Sequence, residues 1–266
     1  DAVTTVSPTY AAEIRTPEKG CGLDGVLRTR RDGVVGILNG LDEEIWDPAT
    51  DKFLEAKYSA QDDANKAINK EKLQERMGLP RKKDVPVFGF VGRLTHQKGV
   101  DLILDSITHI CQKDAQVVIL GIGEGKYHHI LNALLRRHPQ KMAIHLVYND
   151  PLSHMVYAGS DFFLMPSVFE PCGLSQMISL RYGTVPLVFQ TGGLADTIVP
   201  FPGAGANGLM FKKYETEEFI RMIDQALQVY RNPSEMNSLV KNAFATHFVW
   251  DEAAEQYAQV YQRIKN

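Results

Sequence analysis

Hydrophobic and polar positions along the chain fall into two textures, and the change comes near residue 85. Beyond it, short runs that are apolar throughout (VPVFGFVG, QVVILGIG, AIHLVY, DFFLMPS, VPLVF) take turns with longer segments of helical period, such as GVDLILDSITHIC and GKYHHILNALLRRH. A strand without a polar face is covered on both sides, and strands that alternate with helices run parallel. The pattern predicts an α/β fold with a Rossmann-like doubly wound parallel sheet between residues 85 and 212. Before residue 85 the signal is weaker. VTTVS reads as a strand, TPEKGCGLDG as turns and VVGILNGLD as an apolar piece, while the polar stretch from Asp47 to Asp84 holds one predicted helix, Lys66 to Met77, stopped by Gly78 and Pro80. Thr216 to Lys265 reads as three helices, broken at Asn232-Pro233 and Phe248-Val249.

Composition narrows the function. The chain has 266 residues and is 44% hydrophobic, enough for at least one full core. A formal charge of -3 argues against a nucleic-acid partner. Cys21, Cys111 and Cys172 are widely spaced with no CxxC, so neither a disulfide framework nor a zinc site is expected. The histidines lack metal-ligand spacing: His128 and His129 are adjacent, and on a helix they point apart. No apolar run reaches membrane-span length. The opening DAVTTVSP, with neither Met nor a leader pattern, reads as a strand cut from something larger.

In an open parallel sheet, ligands sit beyond the carboxyl ends of the strands, so the loops there carry the candidate chemistry. GRLTHQKG brackets Arg93 and Lys98 with glycines, a suitable clamp for phosphate oxygens, although ordinary surface cations give the same pattern. His96 between them reads by default as solvated. GIGEGK fails the dinucleotide fingerprint because Lys126 stands where its third glycine belongs, which disfavours a nicotinamide enzyme. Tyr148, beside Asn149 and Asp150, is either a stacking platform for a base or a half-buried strand residue. In VFEPCGLS a helix is expected from about Gly173, so the amides of Gly173, Leu174 and Ser175 would attract an anion. Pro171 holds the Glu170 carboxylate outside that helix. A carboxylate beside an anion site suits a ligand with phosphate at one end and hydroxyls at the other, a nucleotide sugar. Cys172 reads as a small packed thiol rather than a nucleophile, since no histidine is marked as its base. In QTGGLADTI, Thr191 and Gly192 follow another strand and can line the same cleft.

GRLTHQKGVDLI, YAGSDFFLMPSVFEPCGLSQMISLRYGTVPLV and TGGLADTI, in this order, resemble the C-terminal half of the bacterial glycogen synthases and plant starch synthases that use ADP-glucose. The similarity reaches back through GILNGLDEEIWDPATD to VTTVSPTYAAEI. The resemblance implies a GT-B architecture, two Rossmann-like lobes facing across a cleft. It implies retaining transfer of glucose from ADP-glucose to the non-reducing end of an α-1,4-glucan, with no cofactor or metal and with neither nucleic acid nor membrane as partner.

Carried over by position, Arg93 and Lys98 match the family's diphosphate-binding cations, and Glu170 matches its essential glutamate. Cys172, Gly173 and Leu174 match its glucose- and phosphate-holding loop, Tyr148 its adenine contact, and Asn39 a cleft position in the linker. Ile178 stands where related retaining families have a second glutamate, and Phe189-Gln190 where many bacterial members are basic. The family's KxGGL motif is absent from this chain. The expected division is residues 1–45 as the end of an N-terminal lobe and linker, 46–250 as the nucleotide-sugar-binding domain, and 251–266 as a helix packing back toward the N-terminal lobe. Alone, such a chain is expected to transfer glucose poorly. A non-catalytic nucleotide-sugar-binding module, or a GT-B enzyme using another donor such as UDP-glucose, remains as an alternative. The location implied is bacterial cytoplasm or, alternatively, plastid stroma.

Overall fold

The computed structural model describes residues 1–30 and 33–265. The predicted sheet is present: β3 (Val87–Val91), β4 (Gln116–Leu120), β5 (Met142–His145), β6 (Phe162–Met165), β7 (Val185–Phe189) and β8 (Leu209–Phe211) run parallel. Their order is β5-β4-β3-β6-β7-β8, the arrangement of doubly wound dinucleotide-binding sheets, and the direction of winding reverses between β3 and β6. The loops leaving those two strands therefore border the crevice where ligands of such sheets bind.

Side-chain alternation explains why the strands look uniformly apolar. Phe88, Phe90, Val117, Ile119, Phe162 and Leu164 face one way, into a core closed by α4 (Val100–Gln112), α5 (Gly125–Arg137) and α9 (Thr216–Tyr230). Val87, Val118, Leu120, Phe163 and Met165 face the other, against α3 (Lys66–Arg76), α6 (Asp150–Gly159) and α7 (Ser175–Arg181). Period two with both faces buried leaves no polar row to read.

The α3 helix is mostly polar yet seated deep. Leu73 is fully buried against Gly159, where a Cβ would lie 2.6 Å from that of Leu73. Its buried polar groups are paired: Lys70 with Asp161 at 2.7 Å, and Gln74 with Gln116 at 2.8 Å. Lys66 donates to Ala158 O, Tyr182 O and Thr184 Oγ1, and burial pulls its pKa down to about 7.

Residues before α3 hold more structure than their pattern suggests. β1 (Val3–Thr5) pairs in parallel with β2 (Val34–Gly36), and between them lie α1 (Pro8–Glu13) and α2 (Asp24–Thr29). The α1 helix starts where the Ser7 side chain accepts from Tyr10 N and Pro8 fills the first turn. The C-terminal helices are α10 (Pro233–Phe244) and α11 (Trp250–Lys265), and Ala253 and Val260 of α11 pack on Ile37. Among the described residues no helix is long and apolar enough to cross a membrane.

Candidate functional site

Three loops converge at the reversal between β3 and β6. The first, Gly92–Thr95, leads into a short 3-10 turn, His96–Lys98. Gly99 ends that turn at φ 69° with Pro166 O so close that no Cβ would fit, so only glycine lets the turn lie on the next loop. Val168 N donates to Gln97 O at 2.9 Å, and Arg93 Nη2 to Gln97 Oε1 at 3.0 Å. The β6 loop lies in turn against the start of α8 (Gly192–Thr197): Gly193 N donates to Glu170 O at 2.9 Å. Gly192, at φ 43°, brings its backbone against the same carbonyl, where a Cβ would lie only 1.9 Å from Glu170 O.

These contacts fix Glu170 and Lys98 together. Glu170 is 6% exposed, and its Oε2 accepts from Lys98 Nζ at 2.7 Å and from Ser167 Oγ at 3.1 Å. The cation expected to face phosphate thus rests on the carboxylate expected to face sugar. Arg93 remains exposed at the mouth. It also lines a pocket of about 300 Å³ that includes Gly92, Gly121, Tyr148 and Trp46. Tyr148 is 83% exposed and stands in the loop after β5, beyond the strand end expected for it.

The helix after the β6 loop begins at Ser175, not near Gly173. Gly173 adopts φ 74°, a left-handed turn residue outside the helix, and Leu174 is the cap. The first-turn amides therefore belong to Ser175, Gln176 and Met177, which displaces the expected anion contacts of Gly173 and Leu174 from the helix terminus proper.

Cys172 is buried, and burial pushes its thiol pKa up, while the backbone N–H of Asn39 pulls it down. A raised value is the reverse of what a nucleophilic thiol needs. The same contact brings Asn39 to the β6 loop. Thr191 is buried, its Oγ1 donating to Glu13 at 3.0 Å and accepting from Lys19 Nζ at 2.6 Å, and Gly192 N donates to Glu13 Oε1 at 3.1 Å. Here α1 closes onto the TGGL loop. Glu13 and Trp46 were missed from sequence, because both stand in segments with no periodic signal and reach the site only through the tertiary fold. Among the described residues no cluster of three or more His, Cys, Asp or Glu is placed to hold a metal.

A doubly wound parallel sheet with cations and a buried carboxylate at its switch point is the α/β architecture that forms the C-terminal half of GT-B glycosyltransferases. The chain belongs to the glycosyl transferases group 1 family, whose model matches residues 69–246. The model of the starch synthase catalytic domain matches residues 1–29. Glycogen synthase of Geobacillus thermodenitrificans is 43% identical over 266 residues, covering 99% of this chain and 55% of the relative. That of Myxococcus xanthus is 46% identical over 264 residues, with 99% and 55% covered. The catalytic domain of starch synthase IV from Arabidopsis thaliana, solved bound to ADP and acarbose, superposes with a TM-score of 0.94 at 36% identity, covering 98% of this chain and 55% of that one. The chain spans about half the length of the curated relatives it matches.

Proposed function

We propose that this chain forms the donor-binding part of a retaining glucosyltransferase that moves glucose from ADP-glucose to the non-reducing end of an α-1,4-glucan. The observation that carries the reading is the Lys98–Glu170 pair at the β3/β6 switch point, with Arg93 beside it and a pocket running from Arg93 to Tyr148. The glycogen synthase relatives and the ADP held by the starch synthase structure support it. In this reading the base lies in the pocket near Tyr148 and the diphosphate meets Arg93 and Lys98. The glucose reaches Glu170 and the loop of Cys172, Gly173 and Leu174, with Asn39, Ser175, Thr191 and Gly192 around it.

Cleavage of the sugar–phosphate bond leaves negative charge on the departing ADP, and fixed cations stabilise that charge more in the transition state than before it. As Lys98 turns to the phosphate, Glu170 loses its counter-charge and is left to face the sugar, whose anomeric carbon gains cationic character. A second reading is a nucleotide-sugar-binding module without turnover. In the proposed reading the setting is the bacterial cytoplasm, which the bacterial sources of the glycogen synthase relatives support, with plastid stroma as the alternative.

Equilibrium dialysis with labelled ADP-glucose, competed by UDP-glucose, tests the donor. Retention of label that UDP-glucose displaces only in large excess is the expected result, and equal displacement by both nucleotides overturns the donor assignment. Adding maltooligosaccharide separates the two readings: slow elongation marks an enzyme, and binding without elongation marks the module.

A further inference from the structure

The pocket that holds Tyr148 is also lined by Trp46, which stands in a polar segment remote from the sheet in sequence. Its indole lies flat on the imidazole of His154, ring centroids 4.1 Å apart and planes 11° from parallel. Tyr157 and Tyr182 meet the same indole edge-on at 5.7 Å and 6.3 Å. His154 is itself immobilised. It is 1% exposed, and its Nδ1 lies 2.7 Å from Asp51 Oδ2, which also accepts the Tyr182 hydroxyl at 2.6 Å. Phe53 N donates to Asp51 Oδ1 at 2.9 Å.

Burial pushes the Asp51 carboxyl up, but these hydrogen bonds outweigh it and hold the pKa below the usual carboxylate range. An ionised Asp51 requires Nδ1 to carry the proton, which fixes the ring's tautomer and its angle. The other nitrogen, Nε2, is buried without a hydrogen-bond partner among the described residues, with Asp150 Oδ1 at 3.9 Å. A buried carboxylate, a histidine and a tyrosine hydroxyl joined this tightly are more than packing requires, and the group they brace is the one indole in the pocket wall.

We infer that His154, oriented by Asp51 and Tyr182, is a positioning residue for nucleotide binding: it holds Trp46 as the fixed wall against which the base packs. The inference rests on the proposed nucleotide site. The ring stack restrains the indole, and the Asp51 hydrogen bond restrains the ring. The two contributions are separable, because asparagine at 154 keeps a donor for Asp51 but no ring, and phenylalanine keeps a ring but no donor.

The test uses the chain carrying Trp250→Phe, which leaves Trp46 as the single indole of the two in the sequence. ADP is titrated while calorimetric heat and Trp46 emission are followed, with circular dichroism as the check on folding. Loss of the stack in His154→Asn is expected to red-shift the emission before ADP is added and to weaken ADP binding about fivefold to tenfold. His154→Phe keeps a ring against the indole but gives up the Asp51 hydrogen bond that sets its angle, so it is expected to retain most of the emission and to weaken ADP binding by no more than about threefold. The inference is overturned if folded His154→Asn matches its parent in emission and affinity. It is also overturned if folded His154→Phe loses affinity by clearly more than about threefold, a result that stands even where the asparagine variant does not fold. Absence of any ADP binding in the parent overturns the nucleotide-site reading itself, which the calorimetric arm reports separately from the emission shift.

Discussion

Neutralising Glu170 should tighten nucleotide binding. In the free chain Lys98 is held by Glu170 at 2.7 Å, in a pair whose side chains are 21% and 7% exposed. At that separation the Coulomb attraction is about 6 kcal/mol at an effective dielectric of about 20, before desolvation of both partners is subtracted. Hydrogen bonds to charged groups retain a net of about 1.5–3 kcal/mol, and partial exposure of Lys98 places this pair at the low end. A phosphate recruiting Lys98 has to overcome that hold. Glu170→Gln keeps the side chain's shape and its contact with Ser167 Oγ but removes the charge, so about 1.5 kcal/mol returns to binding, about tenfold in the ADP dissociation constant. The assay is calorimetric titration with ADP at low ionic strength on the parent, Glu170→Gln, Lys98→Met and the double variant. The gain should vanish when Lys98 is absent. A folded Glu170→Gln chain that binds ADP no better than the parent, or a gain that persists without Lys98, would refute the competition argument.

Three further outcomes follow from the same geometry. Gly192→Ala places a Cβ 1.9 Å from Glu170 O at a backbone φ of 43°, so stability should fall by about 2 kcal/mol or more, read as the urea midpoint, with ADP affinity falling alongside. Leu73→Ala opens a cavity between α3 and α6 at a fully buried site and should cost about 2–5 kcal/mol in the same assay without altering ADP affinity. Tyr58, Tyr157 and Tyr182 are held neutral by burial, with pKa values raised above 10. The unfolded chain loses those protons near pH 10, whereas the native chain keeps them. Stability is therefore fully present below pH 10 and is lost as pH rises beyond it. Urea midpoints at pH 8 and pH 10.5 should show this loss, with phenolate absorbance from the buried tyrosines appearing only on unfolding.

The sheet was legible because strands covered on both faces are apolar at every position, and nothing in the first eighty residues competes with so regular an alternation. Sequence placed Arg93, Lys98 and Glu170 on loops that follow strands, but only the strand order of the folded sheet sets β3 beside β6 and makes those loops neighbours at the switch point. The detail that sequence could not supply is the pairing of Lys98 with Glu170. Spacing along the chain says nothing of which side chain turns toward which across a crevice.

The start of the helix after Glu170 was misplaced because glycine in GLSQ reads equally as an opening residue and as a left-handed turn residue, and only φ 74° at Gly173 decides. The α1 helix was missed although its start signal, Ser7 before Pro8, is present, because six residues give no period to recognise. Trp46 and His154 are separated by over a hundred residues, and only the folded chain puts their rings 4.1 Å apart.

The most direct test of the donor-site account is calorimetric titration of this chain and its Arg93→Ala variant with ADP-glucose and with UDP-glucose. The account predicts that ADP-glucose binds the parent in preference to UDP-glucose and that Arg93→Ala weakens it by at least about tenfold, the lower bound for losing a charge-assisted phosphate contact. Equal binding to parent and variant, or no binding of either nucleotide sugar to the folded parent, would contradict it.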